Sequence, residues 1–363
     1  MRAAVYHGPG DIRLEERPEP AIGDGELLIE VLAAGICGTD VGEYRHDPMF
    51  FPVEERHPVT GHRGPTIPGH EFSGRVAGVA ADVAGFSVGD LVTCGAGVSC
   101  GECPPCLAGR TNMCLRYWTV GLHRDGALAE LVAVPAGCCL NLVGRSITPD
   151  VAALAQPLSI AVHATRRGAL EADDVAVVLG AGGIGTFITH AAASRGARVV
   201  AVDLDAGRLE TAAAVGASAT VRAERGADLA ALVGDTVPKP SIVFECTATE
   251  PVLAAALELV ADNGRVVVVG HQPRPATLNF KLLTFGEKTL IGTMAHVFSA
   301  DFPTAVDLLE SGGEQWRSVA PTVYPLDELL TSGIEPMASG TQSQIKTLFS
   351  PHTRAARPLE VRA

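Results

Sequence analysis

The sequence contains 363 residues, of which 47% are hydrophobic and 19% charged, a composition typical of a folded chain of about two domains. The net charge of −13 argues against a nucleic-acid-binding surface, and no apolar run approaches the roughly 18 residues of a membrane span. The N-terminus lacks the apolar core of a secretory signal, so we expect a cytoplasmic protein without nucleic-acid or membrane partners. Because the cytoplasm is reducing, the nine cysteines indicate metal or redox chemistry rather than disulfide bonds.

The N-terminal part of the chain, residues 1–150, has the pattern of a small all-β barrel with loops. Short apolar or alternating runs separated by Gly, Pro and Asp predict strands. These runs cover 3–6, 12–15, 26–33, 69–79, 89–93 and 128–134. Residues 45–68 are rich in Pro, His and Gly and predict a long irregular loop, a kind of segment that is often functional.

Beyond about residue 150, strand and helix patterns alternate, which predicts a parallel sheet with helices on both faces. Helical spacing covers 150–169. The predicted strands are 175–179, 199–202, 242–245, 266–269 and one near 289–291, and the predicted helices include 206–215, 251–260 and 301–312. Residues 345–349 predict a final strand, and residues 352–363 predict a loose tail.

A glycine-rich turn, GAGGIG, follows the predicted strand 175–179 and opens a helical pattern. In this fingerprint the first glycine permits a tight turn, the second lets a pyrophosphate approach the backbone, and the third lets the helix pack on the strand. The helix N-terminus supplies free N–H groups for the phosphates. The predicted dinucleotide-binding residues are Gly180, Gly182, Gly183, Ile184 and Gly185, and an ordinary glycine-rich turn is the alternative.

A carboxylate ends the second strand of this pattern. Asp203 follows Gly185 by 18 residues, where an acidic side chain accepts hydrogen bonds from ribose hydroxyls and repels the 2′-phosphate of NADP. The sequence therefore predicts NAD as the cofactor. Arg208, five residues later, is the nearby residue that weakens this preference, and a solvated carboxylate is the alternative for Asp203.

Four cysteines lie within 15 residues, in the spacing C-x2-C-x2-C-x7-C. Four thiolates suit one tetrahedral Zn²⁺ with no open position, so we expect a structural zinc that orders a loop. The ligands are Cys100, Cys103, Cys106 and Cys114, and the alternatives are an iron–sulfur cluster or unligated thiols. The cysteines outside this spacing are interpreted as small, mostly buried apolar residues; they include Cys94, Cys138, Cys139 and Cys246.

A second candidate metal set is separated in the sequence. Its members are Cys37, His70 and Glu71, which follow or precede strand patterns of the same predicted domain. One thiolate, one imidazole and one carboxylate suit a zinc ion that keeps an open coordination position for substrate. From the residues alone, a chance occurrence of a turn cysteine and a His-Glu pair stays open.

The chain resembles the zinc-containing medium-chain alcohol and polyol dehydrogenases. GICGTD at 35–40, GHEFSG at 69–74, the four-cysteine spacing, QPLSIAVHA at 156–164 and the glycine turn occur in the order of that family. PMFFPVEERHPVTG and the C-terminal QSQIKTLFSP are most similar to the 2,3-butanediol dehydrogenase group.

The resemblance implies an α/β protein with a GroES-like β-barrel catalytic domain at 1–150, which carries both zinc sites. It further implies a doubly wound Rossmann domain for NAD at 151–293 and a return to the catalytic domain, with the tail, at 294–363. A homodimer or homotetramer is usual in the family.

Carried over by position, Cys37 and His70 are ligands of the catalytic zinc, and Glu71 is a ligand or a close neighbour of one. Thr39 matches the hydroxyl that hydrogen-bonds the substrate and starts the proton relay. Gln156 stands where polyol dehydrogenases usually carry Glu, so its role as a ligand is in doubt.

The proton relay is a second departure from the family. Gly42 replaces a common relay histidine, which leaves Glu43, Tyr44, His46 or water to carry the proton onward. The implied reaction is the reversible NAD-dependent oxidation of a secondary alcohol or vicinal diol to a ketone. The alternatives are a sugar, polyol or aminocyclitol dehydrogenase and a non-catalytic NAD-binding zinc redox sensor.

Overall fold

The computed structural model describes residues 1–46, 48–237 and 239–362. Asp47, in the predicted loop 45–68, and Ala363, in the predicted tail, lie outside the described residues. The chain forms two units, one of Met1–Gln156 with Val297–Ala363 and the other of Pro157–His296. In the described part of the chain, no helix is long and apolar enough to cross a membrane.

The N-terminal segment of the first unit is built mainly of antiparallel strands. Its strands are β1 (Arg2–Gly8), β2 (Asp11–Glu16), β3 (Glu26–Gly35), β4 (Glu71–Val79), β5 (Leu91–Cys94), β6 (Gly97–Val98), β7 (Trp118–Thr119), β8 (Leu131–Pro135) and β9 (Cys139–Asn141). Its helices are α1 (Gly38–Arg45), α2 (Pro104–Leu107) and α3 (Pro149–Ala152), with 3-10 turns at Thr111–Met113 and Ala136–Cys138.

The central strand β3 shows why this segment forms a sheet. Leu27, Ile29, Val31 and Ala33 alternate with less buried residues, so one face of the strand enters the core. The strand pairs with β4 along its length and with β8 along its first half, and two register shifts bend it. The strand thus holds β4 and β8 around one apolar core.

The second unit is a parallel sheet with helices between its strands. Its strands are β10 (Val175–Leu179), β11 (Arg198–Asp203), β12 (Ala219–Arg222), β13 (Ile242–Glu245), β14 (Arg265–Val268) and β15 (Thr289–Gly292). The helices are α4 (Ala155–Arg167), which begins at the end of the first unit, α5 (Gly183–Ser194), α6 (Ala206–Ala214), α7 (Leu229–Gly234), α8 (Glu250–Leu259) and α9 (Phe280–Phe285).

All the strand pairs of this sheet are parallel, in the order β12-β11-β10-β13-β14-β15. This is the doubly wound order, with its switch point beside β10. Val177, Val200, Val243 and Val266 are fully buried on successive strands and form the core. The expected Rossmann sheet is confirmed.

The C-terminal segment returns to the first unit. It adds the helices α10 (Phe298–Gly312), α11 (Trp316–Val319) and α12 (Glu335–Ser339), short 3-10 turns at Gly313–Gln315 and Leu326–Glu328, and a π-helical turn at Leu329–Ile334. Its strands are β16 (Thr322–Pro325), β17 (Leu348–Ser350) and β18 (Arg357–Pro358). They extend the first unit's sheet, which runs β18-β16-β17-β3-β4-β5-β9.

The prediction of a loose tail at 352–363 is wrong for the described residues. β18 pairs with β16, and Leu359 is fully buried. Arg357 binds the buried carboxylate of Asp150 through Nη1 at 2.5 Å and Nη2 at 2.8 Å. The long-range partner Asp150 fixes this segment, and nothing local in the sequence reveals it.

We expect Arg357→Ala to lower the free energy of unfolding by about 1–3 kcal/mol, because it leaves the buried Asp150 carboxylate without its charged donor. Chemical denaturation measures the change. Arg354→Ala, at an exposed residue of the same segment, is the control and should change stability by less than about 0.5 kcal/mol. Equal stability of the two variants would contradict the anchoring role.

Candidate active site, metal centres and dinucleotide turn

The glycine turn joins β10 to α5 in the geometry that the fingerprint requires. Gly180 has φ +96°, and a Cβ on Gly185 would lie 1.7 Å from the carbonyl oxygen of Gly180, so only glycine fits there. Among the described residues, a Cβ on Gly182 would meet only the Arg208 guanidinium within 4 Å, at 3.8 Å. Gly183 and Ile184 form the first turn of α5, whose N–H groups lack partners within the helix. The space beside Gly182 fits the pyrophosphate of a dinucleotide.

Asp203 ends β11 beside this turn. Its carboxylate accepts hydrogen bonds from Ala181 N at 2.7 Å and Asp205 N at 2.9 Å. The Arg208 guanidinium lies 3.9 Å from Asp203 Oδ2, in addition to its position near Gly182. The structure therefore brings together the two predicted residues that act in opposite directions on a 2′-phosphate.

The predicted catalytic set also comes together. Ligand atoms of Cys37, His70 and Glu71 lie within 4.8 Å of one another, and the His and Glu are buried. Strand register explains the meeting, because Gly35 of β3 pairs with Glu71 of β4. Cys37 follows Gly35 by two residues and caps the N-terminus of α1.

Thr39 lies in the first turn of α1, beside the cluster. Its Oγ1 is 3.8 Å from Cys37 Sγ. The hydroxyl is half-buried and lies within reach of a group that binds next to the thiol.

Asp40, which the sequence analysis did not single out, is a buried neighbour of the cluster. Its Oδ2 accepts a hydrogen bond from Cys37 N at 2.8 Å, and its Oδ1 lies 3.7 Å from His70 Nδ1. Burial alone would lower the pKa of His70, but Asp40, Cys37 and Glu71 outweigh it and raise the pKa to about 9. A carboxylate behind a histidine commonly orients a metal-binding imidazole. The acidic residue of GICGTD was the available signal.

Lys346 is the second residue that sequence reasoning missed. Its buried ammonium pairs with Glu71 Oε2 and donates a hydrogen bond to Ile36 O at 2.8 Å. It reaches the cluster because Leu348 of β17 pairs with Gly35 of β3. Burial alone would lower the pKa of Lys346, but the negative groups Glu71, Cys37 and Asp40 outweigh it and raise the pKa. No sequence pattern around IKTLF indicates this pairing.

The donor set fits a divalent cation. Among the described residues, the buried atoms His70 Nδ1, Asp40 Oδ1 and Glu71 Oε1 have no hydrogen-bond partner. With Cys37 as thiolate and His70 as neutral imidazole, the forms in which these groups bind a metal, the cluster carries three negative charges and the one positive charge of Lys346, a sum of −2. A zinc ion held by sulfur, nitrogen and carboxylate ligands would cancel that charge.

Among the candidate proton-relay residues after Gly42, Glu43 has a carboxylate that is already bound to the backbone. Its buried carboxylate accepts hydrogen bonds from the N–H groups of Met49, Phe50 and Phe51 at 3.0–3.2 Å. Tyr44 is half-buried and His46 is exposed. A Cβ on Gly42 would have no neighbour within 4 Å among the described residues.

Gln156 lies buried in the first turn of α4. Its role as a ligand stays a prediction.

The four cysteines of the predicted structural zinc site form a second cluster. Ligand atoms of Cys100, Cys103, Cys106 and Cys114 lie within 4.8 Å of one another. Backbone N–H groups of Cys103, Cys100 and Arg116 point at sulfur, at 3.3–3.4 Å. Four thiols converging in a loop, with N–H donors that stabilise thiolates, fit a closed tetrahedral zinc site.

Comparison with known proteins agrees with this geometry. The profile of the family described as "Alcohol dehydrogenase GroES-like domain" matches residues 23–144, and that of "Zinc-binding dehydrogenase" matches residues 183–311. The chain belongs to the zinc-containing medium-chain alcohol dehydrogenases. It is an enzyme that acts on CH–OH groups, and the expected zinc and nicotinamide dinucleotide cofactors, the GroES-like domain and the resemblance to this family are confirmed.

Three relatives show how far the similarity extends. The erythritol/L-threitol dehydrogenase of Mycolicibacterium smegmatis is 34% identical, over 94% of this chain and 96% of that protein. The (R,R)-butanediol dehydrogenase of Neisseria gonorrhoeae is 30% identical, over 97% of this chain and 100% of that protein. The crystal structure of 2R,3R-butanediol dehydrogenase from Bacillus subtilis superposes with a TM-score of 0.89 at 29% identity, covering 97% of this chain and 99% of that one.

Changing Gly182 or Gly185 of the dinucleotide turn to alanine should cause different defects. Gly185→Ala should destabilise the protein by about 1–3 kcal/mol, because the added methyl group collides with Gly180 O. Gly182→Ala should fold normally but weaken NADH binding at least about tenfold, because the methyl group fills the phosphate space. Thermal unfolding and NADH fluorescence titration separate the two effects. Normal NADH binding by Gly182→Ala would show that the pyrophosphate does not cross Gly182.

Proposed function

We propose that the enzyme oxidises a short vicinal diol, or a similar secondary alcohol, reversibly to a ketone with NAD. The observation that carries this proposal is the buried cluster of one thiol, one imidazole and one carboxylate with an uncancelled charge. Two relatives support the substrate class, since butanediol, erythritol and threitol are all four-carbon compounds. We assign catalysis to 1–150 and 294–363 and cofactor binding to 151–293.

In this proposal, Cys37, His70 and Glu71 hold the catalytic zinc, with Gln156 as a weak further ligand. When bound, zinc acts as a Lewis acid that makes the alcohol proton more acidic, and the nicotinamide takes up the hydride equivalent. Asp40 orients the His70 imidazole, and Lys346 restrains the Glu71 carboxylate.

The proton of the substrate hydroxyl leaves by way of Thr39 and then water. Thr39 Oγ1 accepts the proton of the substrate hydroxyl and passes its own to water. Water is the next acceptor because the Glu43 carboxylate is committed to the backbone of residues 49–51 and Gly42 has no side chain.

A sugar or polyol dehydrogenase is the second candidate, favoured by the relative named erythritol/L-threitol dehydrogenase at 34% identity. The deciding experiment measures NADH formation with the stereoisomers of butane-2,3-diol, with erythritol, L-threitol and sorbitol, and with an aminocyclitol. We expect the highest kcat/KM with a butane-2,3-diol isomer. A higher value with a tetritol or hexitol would favour the second candidate, and no turnover of any of these alcohols would contradict both substrate classes.

We expect two zinc ions per chain, with different consequences when each is lost. Cys103→Ser should lose one zinc and lower the melting temperature, because the Cys100–Cys114 loop depends on the metal for its order. Cys37→Ser should abolish activity with the fold largely kept. Elemental analysis, thermal unfolding and NADH formation report these results.

Cys246→Ser, at a cysteine outside both clusters, is the control for these variants and should keep two zinc ions. A single zinc in the fully loaded wild type would contradict the proposal of two sites.

NAD should be preferred over NADP because the Asp203 carboxylate binds ribose hydroxyls and repels a 2′-phosphate. Asp203→Ala should narrow the preference by about one to two orders of magnitude, since the lost charge-assisted bonds amount to roughly 1.5–3 kcal/mol. Arg208→Ala should widen this preference, because its guanidinium is a cation beside Asp203, near the expected position of that phosphate. The test compares kcat/KM for the two cofactors, and equal values in the wild type would overturn the prediction.

Assembly and location are further proposals. The family resemblance supports a homodimer or homotetramer, and the sequence composition supports a cytoplasmic enzyme.

A further inference from the structure

Three cysteines outside both zinc clusters meet in the core of the first unit. Cys94 ends β5, Cys138 lies in the 3-10 turn, and Cys139 begins β9. Cys94 pairs with Cys139 across the ladder, and Cys94 Sγ lies 3.6 Å from Cys138 Sγ. The three sulfur atoms all lie within 4.8 Å of one another. We call this group the thiol triad.

The sequence interpretation of these residues as small apolar side chains is incomplete, because it did not foresee that they meet. They are 0%, 2% and 6% exposed, respectively, and nothing in the dehydrogenase reaction uses them. The next cysteine of the chain, Cys100, belongs to the separate four-cysteine cluster. The triad therefore presents three soft sulfur donors without an assigned ligand.

The number of sulfur donors in the triad and their burial restrict which ion can bind there. Within the described residues, no fourth Cys, His, Asp or Glu joins the triad, whereas structural zinc requires four ligands. Three thiolates around a divalent ion would leave a charge of −1 in the core, and around a monovalent ion −2. Uncompensated charge at a buried site is costly. A trivalent centre bound to three thiolates is neutral.

We propose that the thiol triad is a binding site for trivalent arsenic, taken up as neutral arsenous acid. Arsenic(III) is thiophilic and forms three bonds in a trigonal pyramid, a geometry that requires three sulfur atoms as close together as those of the triad. Both the reactants and the product are uncharged, so the core acquires no net charge.

The step is a ligand exchange without oxidation or reduction. Three S–H bonds and three As–O bonds break, three As–S bonds form, and the three protons leave with the three hydroxyl groups as water. Arsenic remains in the +3 state throughout.

Cys94 is the first nucleophile of this exchange. Burial alone would raise the pKa of the Cys94 thiol, but hydrogen bonds from Cys138, Cys139 and the Ala96 N–H outweigh it and lower the pKa. The thiolate is the reactive form of cysteine, and the proton that Cys94 gives up is the first of the three that leave as water, so this arrangement favours the first As–S bond at Cys94.

Access to the buried triad follows from its position in the sheet. β9, which carries Cys139, is a three-residue strand at the edge of the sheet, next to β5. Short edge elements open locally at a small cost compared with global unfolding. Arsenous acid is small and uncharged, so it enters during such openings, and uptake should be slow and limited by them.

The experiment incubates the zinc-loaded enzyme with arsenite, removes excess reagent and measures arsenic and zinc per chain by elemental mass spectrometry. We expect one arsenic per chain, zinc content unchanged, and X-ray absorption showing three sulfur neighbours around arsenic. Cys138→Ala and Cys139→Ala should each weaken arsenic binding at least about tenfold. Cys246→Ala removes a cysteine outside the triad and should bind arsenic as the wild type does.

Other outcomes overturn the proposal. Arsenic uptake that is equal in the triad variants, absent in the wild type, or matched by zinc release would place arsenic elsewhere or nowhere. Hydrogen–deuterium exchange of the wild type tests the site without any variant. Bound arsenite should slow exchange in β5 and β9, and protection confined to Cys100–Cys114 would refute the triad.

Discussion

The charge balance of one buried cluster is the constraint on which the catalytic unit depends. Cys37, Asp40 and Glu71 bring three acidic groups into the same small volume, and Lys346 supplies one cation. Such a group is tolerable in a core only when its charges cancel. A divalent ion would complete that cancellation.

The sheet provides the geometry for that balance. β3 lies between β4 and β17, and Gly35 pairs with Glu71 on one side and Leu348 on the other. This single position aligns three distant parts of the chain, so that Cys37, Glu71 and Lys346 converge. The strands that form the core thereby also set the metal site, and a shift in strand register would disturb both together.

How much the sequence predicts depends on whether a feature is local. The turn at Gly180–Gly185 and the four cysteines of Cys100–Cys114 can be predicted because each lies in one short segment with a physical reason for its spacing. The strand β12 was missed because only Val221 in it is buried, which leaves no clear apolar run. Lys346 and the Cys94–Cys139 pairing could not be predicted, because each depends on strand neighbours that no local pattern specifies.

The position of Lys346 in the chain has a consequence for biosynthesis. It is translated 275 residues after Glu71, which at about 5–20 residues per second is a delay of roughly 14–55 s. During that time the nascent chain carries the acidic groups of the cluster without their lysine. The charge balance of the cluster is therefore completed late, and until Lys346 arrives the nascent chain offers cations a more negative site than the folded protein does.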